Sequence, residues 1–437
     1  MNCLQTLQGG LFTMDFNTIL MRFGLNPDDF ENRYLEPIQV FNGSIYSVNQ
    51  ADKERKCPFC KSKDVIIKGY YHTETKCSQT DHYTDTLQIR RIRYKCKCCH
   101  KTYSPPIRGI EKGFRVTNQV RAFINNDFTR AISFKQIGEK YNLSTARVLQ
   151  MFDANIPIVF KLPLPKVLCI DEIRFVSEGG IKYCCVLYDF FEKKIVDIIK
   201  SRQLPYLKEY FSNLSKEERD NVEVFISDMY DGYATVKDLY FKNATHVVDN
   251  FHVITQMTRA VNSLRIRTMN GYTYKGDTFY NFMKSKWQLF LCREEHIPDK
   301  YIVRKDTGET HHCDELVYSC IKLDNDFWEG YLTLQDLFHH SYYSTFDESL
   351  KFVGYISKKL RNSNSELLQK VGDTYYKWRV EIANAFTRQV KGIKYTNAIA
   401  ECINNKLKTI LKSAYGYHNF ERFRKRALLI CTYTPFR

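Results

Sequence analysis

The sequence predicts a multidomain α/β protein, and three observations point there. A chain of 437 residues is longer than one hydrophobic core ordinarily covers. Beyond residue 166, short apolar runs alternate with helical periods, the pattern of a sheet with parallel members and helices against its faces. Six of the fifteen cysteines fall between Cys57 and Cys99, a clustering that speaks of metal rather than packing.

Composition narrows the class. Hydrophobic residues make up 43% of the chain, including 30 Tyr and 30 Phe, which excludes disordered and collagen-like proteins. No apolar run reaches the ~18 residues of a membrane span. Met1 to Phe16 carries neither a basic start nor a small-residue cleavage pattern, so no secretory signal is expected and Met14 is a second candidate start. Reduced thiols in a cytosolic compartment follow as the expectation. The net charge of +16 predicts a polyanionic partner, nucleic acid above all.

After an N-terminal segment, 1–50, comes a cysteine-rich stretch, 51–106. Cys57-Pro-Phe-Cys60 and Cys96-Lys-Cys-Cys99 are two knuckles separated by 35 residues. Each turn presents two thiolates, and two such turns close a tetrahedral Zn²⁺ site, predicting a structural zinc ribbon held by Cys57, Cys60, Cys96 and Cys99. Cys77, Cys98 and His100 compete for ligation, and the fourth ligand stays open between Cys98, Cys99 and Cys77. The intervening strand material at 87–90 and 92–94 belongs to a hairpin. Arg91 and Arg93 lie in a wholly basic run there and are candidate phosphate contacts.

The next segment, 111–162, reads as short helices ending at Pro163-Leu-Pro165. Ser133, with Gln136 completing a capping box, starts one helix, and Ser144 caps the next. This is a helix-turn-helix whose second helix would present Thr145 and Arg147 to a DNA groove, with Lys135 on the first helix as a further contact.

Segment 163–268 alternates strand and helix. Asp171 follows the apolar run 167–170 and Asp228 follows 222–226, so both are expected at the carboxyl ends of strands, where open α/β sheets place their sites. Asp231 is the rival to Asp228. Segment 269–390 reads as largely helical, and 391–437 carries a last periodic helix. On that helix Ile403, Leu407, Ile410 and Leu411 form the apolar stripe, while Glu401, Asn405, Lys408 and Lys412 share the opposite face. Three converging carboxylates require cations, and hard oxygen ligands select Mg²⁺ or Mn²⁺. From Arg388 to Arg426, ten Lys/Arg stand against Glu401 and Glu421, half of the net charge. Lys406, Lys408 and Lys412 are the candidate DNA contacts of this stretch.

Ile170-Asp-Glu-Ile173, Ser227-Asp-Met-Tyr-Asp-Gly-Tyr233, Asp249-Asn-Phe-His252, Asn397-Ala-Ile-Ala-Glu-Cys-Ile-Asn-Asn-Lys-Leu-Lys408 and Ala414-Tyr-Gly-Tyr-His-Asn-Phe-Glu-Arg-Phe-Arg424 resemble the ISL-three type of bacterial insertion-sequence transposases. The resemblance implies an RNase H-like core with a DDE triad, Asp171, Asp228 and Glu401, holding two Mg²⁺ or Mn²⁺ ions. It makes 163–268 and 391–437 the two parts of that core, and 269–390 a helical insertion domain within it. Asp249 and His252 match a D-x-x-H signature that shapes such sites, although Asp249 is also placed to cap a helix. Trp378 is expected in the core of the insertion rather than on DNA. The implied activity is transposition: recognition of terminal inverted repeats, metal-dependent strand cleavage and strand transfer, carried out by a homodimer or higher assembly. A catalytically silent DNA-binding regulator and a nuclease without strand transfer are the alternatives.

Overall fold

The computed structural model describes residues 15–432 except 32–36, 54, 81–82, 176–181, 273–276, 305–306, 340–342, 344, 388–394, 396–397, 414–416 and 418. Contacts divide the chain into two compact units. The first comprises Met1–Val159, Thr409–Tyr417 and Lys425–Arg437, and the second Phe160–Lys408 and His418–Arg424.

The first unit opens with helix α1 (Phe16–Arg22), capped by Asp15, and strands β1 (Ile38–Val40) and β2 (Gly43–Asn49). A long hairpin follows, β3 (Val65–Thr80) and β4 (Tyr83–Cys96), then the short β5 (Thr102–Tyr103). The sheet runs β1-β2-β4-β3, with β5 also on β4. Because β2 pairs with β4 in parallel, residues 43–49 share the sheet of the cysteine-rich stretch. Phe16, Leu20, Phe23, Leu87 and Ile89 form their common core. Segments 87–90 and 92–94 are one continuous strand.

Three helices follow: α2 (Asn118–Asp127), α3 (Phe134–Lys140) and α4 (Thr145–Asn155). The capping box forms as its residues dictate: Gln136 N–H donates to Ser133 Oγ at 3.0 Å, and Ser133 N–H to Gln136 Oε1 at 2.8 Å. Ser144 caps α4. Between the two helices Asn142 takes a left-handed φ of 50°, and the chain closes so tightly that a Cβ on Gly138 would stand 2.6 Å from the Leu143 carbonyl oxygen. Ile137, Tyr141, Val148 and Phe152 are buried between the helices. Arg426 is fully buried in the same unit, stacked over Phe134, and donates to the carbonyls of Arg130 and Ile132, each at 2.9 Å.

The second unit is built on a five-stranded sheet of β6 (Val167–Arg174), β7 (Tyr183–Asp189), β8 (Ile195–Ile199), β9 (Val224–Ser227) and β10 (Thr245–Val248). Its order is β10-β9-β6-β7-β8. β9 is parallel to both β6 and β10, whereas β6, β7 and β8 form an antiparallel meander. Helices α5 (Leu204–Ser212), α6 (Lys216–Asp220) and α7 (Asp231–Tyr240) lie in this part of the chain. Leu207, Phe211, Tyr233 and Val236 of α5 and α7 join Leu168, Ile170, Leu187 and Phe225 of the strands in one core.

Helix α8 (Asn250–Gly271) leads into a mainly helical stretch. There α9 (Thr278–Ser285), a small hairpin of β11 (Tyr301–Val303) and β12 (Thr310–His312), α10 (Cys313–Ile321), α11 (Asn325–His339), α12 (Phe346–Arg361), α13 (Glu366–Lys377) and α14 (Arg379–Phe386) follow in order. The β11–β12 hairpin is an addition to the helical reading of 269–390. Tyr375 of α13 donates to the Val253 carbonyl of α8 at 2.7 Å, and Asn384 of α14 to the His246 carbonyl of β10 at 2.8 Å. Trp378 is buried, 5.8 Å from the His246 ring. The chain ends with α15 (Ala398–Ser413) and α16 (Phe420–Thr432). No helix among the described residues is long and apolar enough to cross a membrane.

The contact at the α3–α4 turn sets a steric requirement. Gly138→Ala drives a methyl group into the Leu143 carbonyl and is expected to cost about 1–3 kcal/mol, the usual penalty for overpacking. Chemical denaturation of both proteins measures it, and unchanged stability would contradict the close approach.

Candidate functional site

The two cysteine knuckles are built alike. Lys61 and His100, the residues after Cys60 and Cys99, both adopt left-handed φ angles, 63° and 59°. Each lets the chain fold back, so that Cys57 N–H donates to the Ser62 carbonyl at 2.9 Å and Cys96 N–H to the Lys101 carbonyl at 3.0 Å. The ligand atoms of Cys57, Cys60, Cys96 and Cys99 gather within 4.8 Å of one another, with Sγ pairs Cys57–Cys99 and Cys60–Cys96 at 3.5 Å. Burial works to raise the Cys57 thiol, but N–H groups of Cys60 and Phe59 pointing at the sulfur bring it down to about 6, favouring the thiolate a soft metal requires.

The gathered set includes Cys99. Cys98 and His100 are exposed and outside it. Cys77 lies in the other core of the sheet with Leu87 and Ile89, where burial pushes its thiol well up. The cluster is compatible with structural zinc.

The acidic residues meet in the second unit. Asp171 lies within β6, three residues before its end, not at its carboxyl terminus as the apolar run suggested. The correction has a simple cause: pairing with β9 stops at Cys169, but pairing with β7 continues to Arg174. Asp228 directly follows β9 as expected. Asp249 caps α8, accepting from Phe251 N–H at 3.2 Å, and its second oxygen holds His252 Nδ1 at 2.8 Å. Asp249 thus serves both as cap and as histidine partner.

Burial, with the neighbouring carboxylates, raises both Asp171 and Asp228, the latter to about 6. Asp228 Oδ1 is buried without a hydrogen-bond partner. The Asp249 hydrogen bond raises His252, and the charges of Asp228 and Asp171 add to it. Asp171, Asp228 and His252 therefore lie within electrostatic reach of one another. Asp171 Oδ1 accepts Glu172 N–H and its Oδ2 accepts Asn404 Nδ2, both at 2.7 Å. The second bond ties α15 to β6 across 233 positions of sequence. Glu401 stands one turn earlier on α15 and is exposed. Among the described residues, the cysteine group is the one set of three or more metal-ligating side chains drawn within 4.8 Å, so the three acidic residues stand farther apart than that.

Four residues of this neighbourhood carried no assigned role in the sequence reading. Asn404 orients Asp171. Glu172, on the other face of β6, accepts from Tyr233 Oη at 3.0 Å and pairs with Arg202 at 2.7 Å. Arg202 lies over the rings of Tyr183 and Tyr230. Strand alternation placed Glu172 opposite Asp171; no local pattern marked the others.

The expected DNA contacts divide. Arg93, Lys135, Thr145, Lys408 and Lys412 are exposed, while Arg147 and Lys406 are half-buried. Arg91 is half-buried and donates to the Pro105 carbonyl at 2.8 Å, which assigns it to packing as well. Arg147 bonds the Gly113 carbonyl and Gln150 and lies over Phe114.

A family model described as a transposase, of the DDE ISL-three type, matches residues 168–427, more than half of the chain. No curated protein matches it.

Two outcomes test the site. Zinc analysis should give about one ion per chain, lost in Cys57→Ser and Cys99→Ser but kept in Cys98→Ser and Cys77→Ser; loss in Cys98→Ser would contradict the geometry. For Asp228, the folded carboxyl at about 6 stands above its ordinary 3.8, so folding favours the protonated form. The resulting destabilisation is absent below 3.8, grows as pH rises to about 6, and is constant above. In metal-free buffer, Asp228→Asn should therefore raise the melting temperature relative to the unsubstituted protein more at about pH 7 than at about pH 4. A pH-independent difference would show that the carboxylate is solvated.

Proposed function

Since the chain belongs to the ISL-three-type family of insertion-sequence transposases, we propose that it binds the terminal inverted repeats of its element and catalyses metal-dependent DNA strand cleavage and strand transfer. The observation that carries this reading is the tie between Asp171 and Asn404, which brings the helix of Glu401 to a strand that also faces Asp228 and His252. The meander β6-β7-β8 continued by parallel β9 and β10, with α15 returning to β6, supports an RNase H-like core of 163–268 and 391–437 around a helical insertion, 269–390.

The residues fit divalent cations. Asp228 Oδ1 is a buried acceptor without a donor, and Asp171 is a desolvated carboxylate beside it, a hard-oxygen set whose like charges call for Mg²⁺ or Mn²⁺. In this reading Asp171, Asp228 and Glu401 hold the ions, which supply activation of a water or 3′-hydroxyl and charge stabilisation at the leaving oxygen. Asn404 fixes the direction of Asp171. His252 is held by Asp249, and that hydrogen bond together with the charges of Asp228 and Asp171 shifts it toward its protonated form. Lys408 and Lys412 attract the phosphate backbone.

The first unit is read as the DNA-recognition end. The four cysteines hold structural Zn²⁺ in a ribbon within 51–106, and α3 and α4 form a helix-turn-helix within 111–162, with Thr145 at the start of the second helix. Joining two ends of one element requires two such chains, and a symmetric homodimer or higher assembly matches inverted repeats.

The test is cleavage of a duplex carrying the element's end, in Mg²⁺. Asp228→Asn and Glu401→Gln should each lower the rate by about 10³-fold or more, the several kcal/mol that such ions provide. Asn404→Ala, which leaves the ligands but frees Asp171, should cost roughly 10–100-fold. Full activity in either carboxylate variant would remove that residue from the triad.

A further inference from the structure

In the first unit, β3 does not end at its hairpin partner. Lys76 N–H donates to the Arg115 carbonyl and Thr117 N–H to the Lys76 carbonyl, each at 3.0 Å, locking the long hairpin to the segment that enters α2. Thr117 is itself the cap of α2. Beneath this lock opens a cavity of about 550 Å³, lined by Glu74, Lys76, Gly113, Arg115, Val116, Asn142, Leu143, Ser144 and Arg147.

Three elements each supply a cation: Lys76 from β3, Arg115 from the connecting segment and Arg147 from α4. One carboxylate, Glu74, stands against them, and it accepts from Gln88 at 3.3 Å. Arg115 is exposed, and its guanidinium has no ion-pair partner among the described residues. Arg147 is held in place through the Gly113 carbonyl and the Phe114 ring, so its charge is pre-positioned. Ser144, which also lines the cavity, caps the Arg147 N–H of α4 through its side chain. With only Val116 and Leu143 apolar in the lining, the cavity suits a hydrated anion rather than an apolar ligand.

We propose that this cavity seats a backbone phosphate of duplex DNA, so that the cysteine-bearing hairpin and the α3–α4 pair grip the duplex as one body through a shared contact. The inference rests on the DNA-binding reading of this unit and adds Lys76 and Arg115 to the residues expected from sequence. A phosphate contact positions the duplex without reading bases, which sets its signature.

The experiment titrates the full chain with a duplex of the element's end and with a scrambled duplex of equal length, from about 50 to 200 mM salt. Lys76→Ala and Arg115→Ala should each flatten the slope of log affinity against log salt by about 1 and weaken both duplexes by the same factor. Arg115→Lys should restore the slope, and Lys208→Ala, an exposed lysine of α5, should leave it unchanged. Zinc content and melting temperature confirm that the variants fold. Unaltered slopes in both alanine variants, with tight binding retained, overturn the cavity as a phosphate seat while leaving the functional reading intact. A loss confined to the element's end would mean base readout and overturns it too. Absence of binding by the unsubstituted protein overturns the DNA-binding reading and this inference with it.

Discussion

Placing Asp171 and Asp228 together in a poorly solvated pocket is the constraint on which the second unit depends. Burial and mutual repulsion both oppose the charged forms, and a fold selected for stability alone would not keep such a pair. The surroundings share the cost in identifiable ways. Asn404 and the Glu172 amide donate to Asp171, Asp249 holds His252 and shifts it toward its protonated form, and Arg202 pairs with Glu172 on the opposite face. Asp228 Oδ1 and, on the residue that donates to Asp171, Asn404 Oδ1 are buried without a partner. Open acceptors beside two desolvated carboxylates are where a cation is favoured, in keeping with the divalent-metal use of the family.

The first unit obeys a different constraint. Its ribbon end has a small core of Val65, Ile92 and Tyr94 around the cysteines, too little apolar surface to hold two long strands by itself. Four cysteines gathered within 4.8 Å are compatible with a structural zinc, which would supply what the core lacks. Farther along the same hairpin β2 widens the sheet and α1 packs against it, so that end has an apolar core of its own. That division explains why Cys77, on the same strand pair, behaves as a buried hydrophobe.

Much of this was legible in the amino-acid order because it is local. The C-x2-C spacings, the Ser133–Gln136 box and the Ser144 cap each depend on residues within a turn of one another, and each forms as written. Asp228 follows its strand for the same reason. Asp171 was displaced by three positions because β6 is buried on both faces near its start, where a continuous apolar run hides the true end of pairing. The parallel pairing of β2 with β4, the β11–β12 hairpin and the Glu172–Arg202 pair depend on register and side-chain direction between distant segments, which no window of sequence records. Asn404 was hidden more thoroughly: on a helix face judged by charge, an amide between two apolar positions has no distinguishing mark until its partner is known.

The long separation of the acidic residues then becomes mechanically reasonable. Between Asp228 and Glu401 the chain builds a mainly helical stretch that returns to the sheet at defined points. Tyr375 bonds the first turn of α8, immediately after Asp249 and His252, and Asn384 bonds β10 at His246, whose ring is held by Ser227 at 2.9 Å beside Asp228. These bonds attach the helical stretch to the backbone that carries the acidic residues, not to remote surface. The packing of that stretch and the positions of Asp228 and Asp249 are therefore set together.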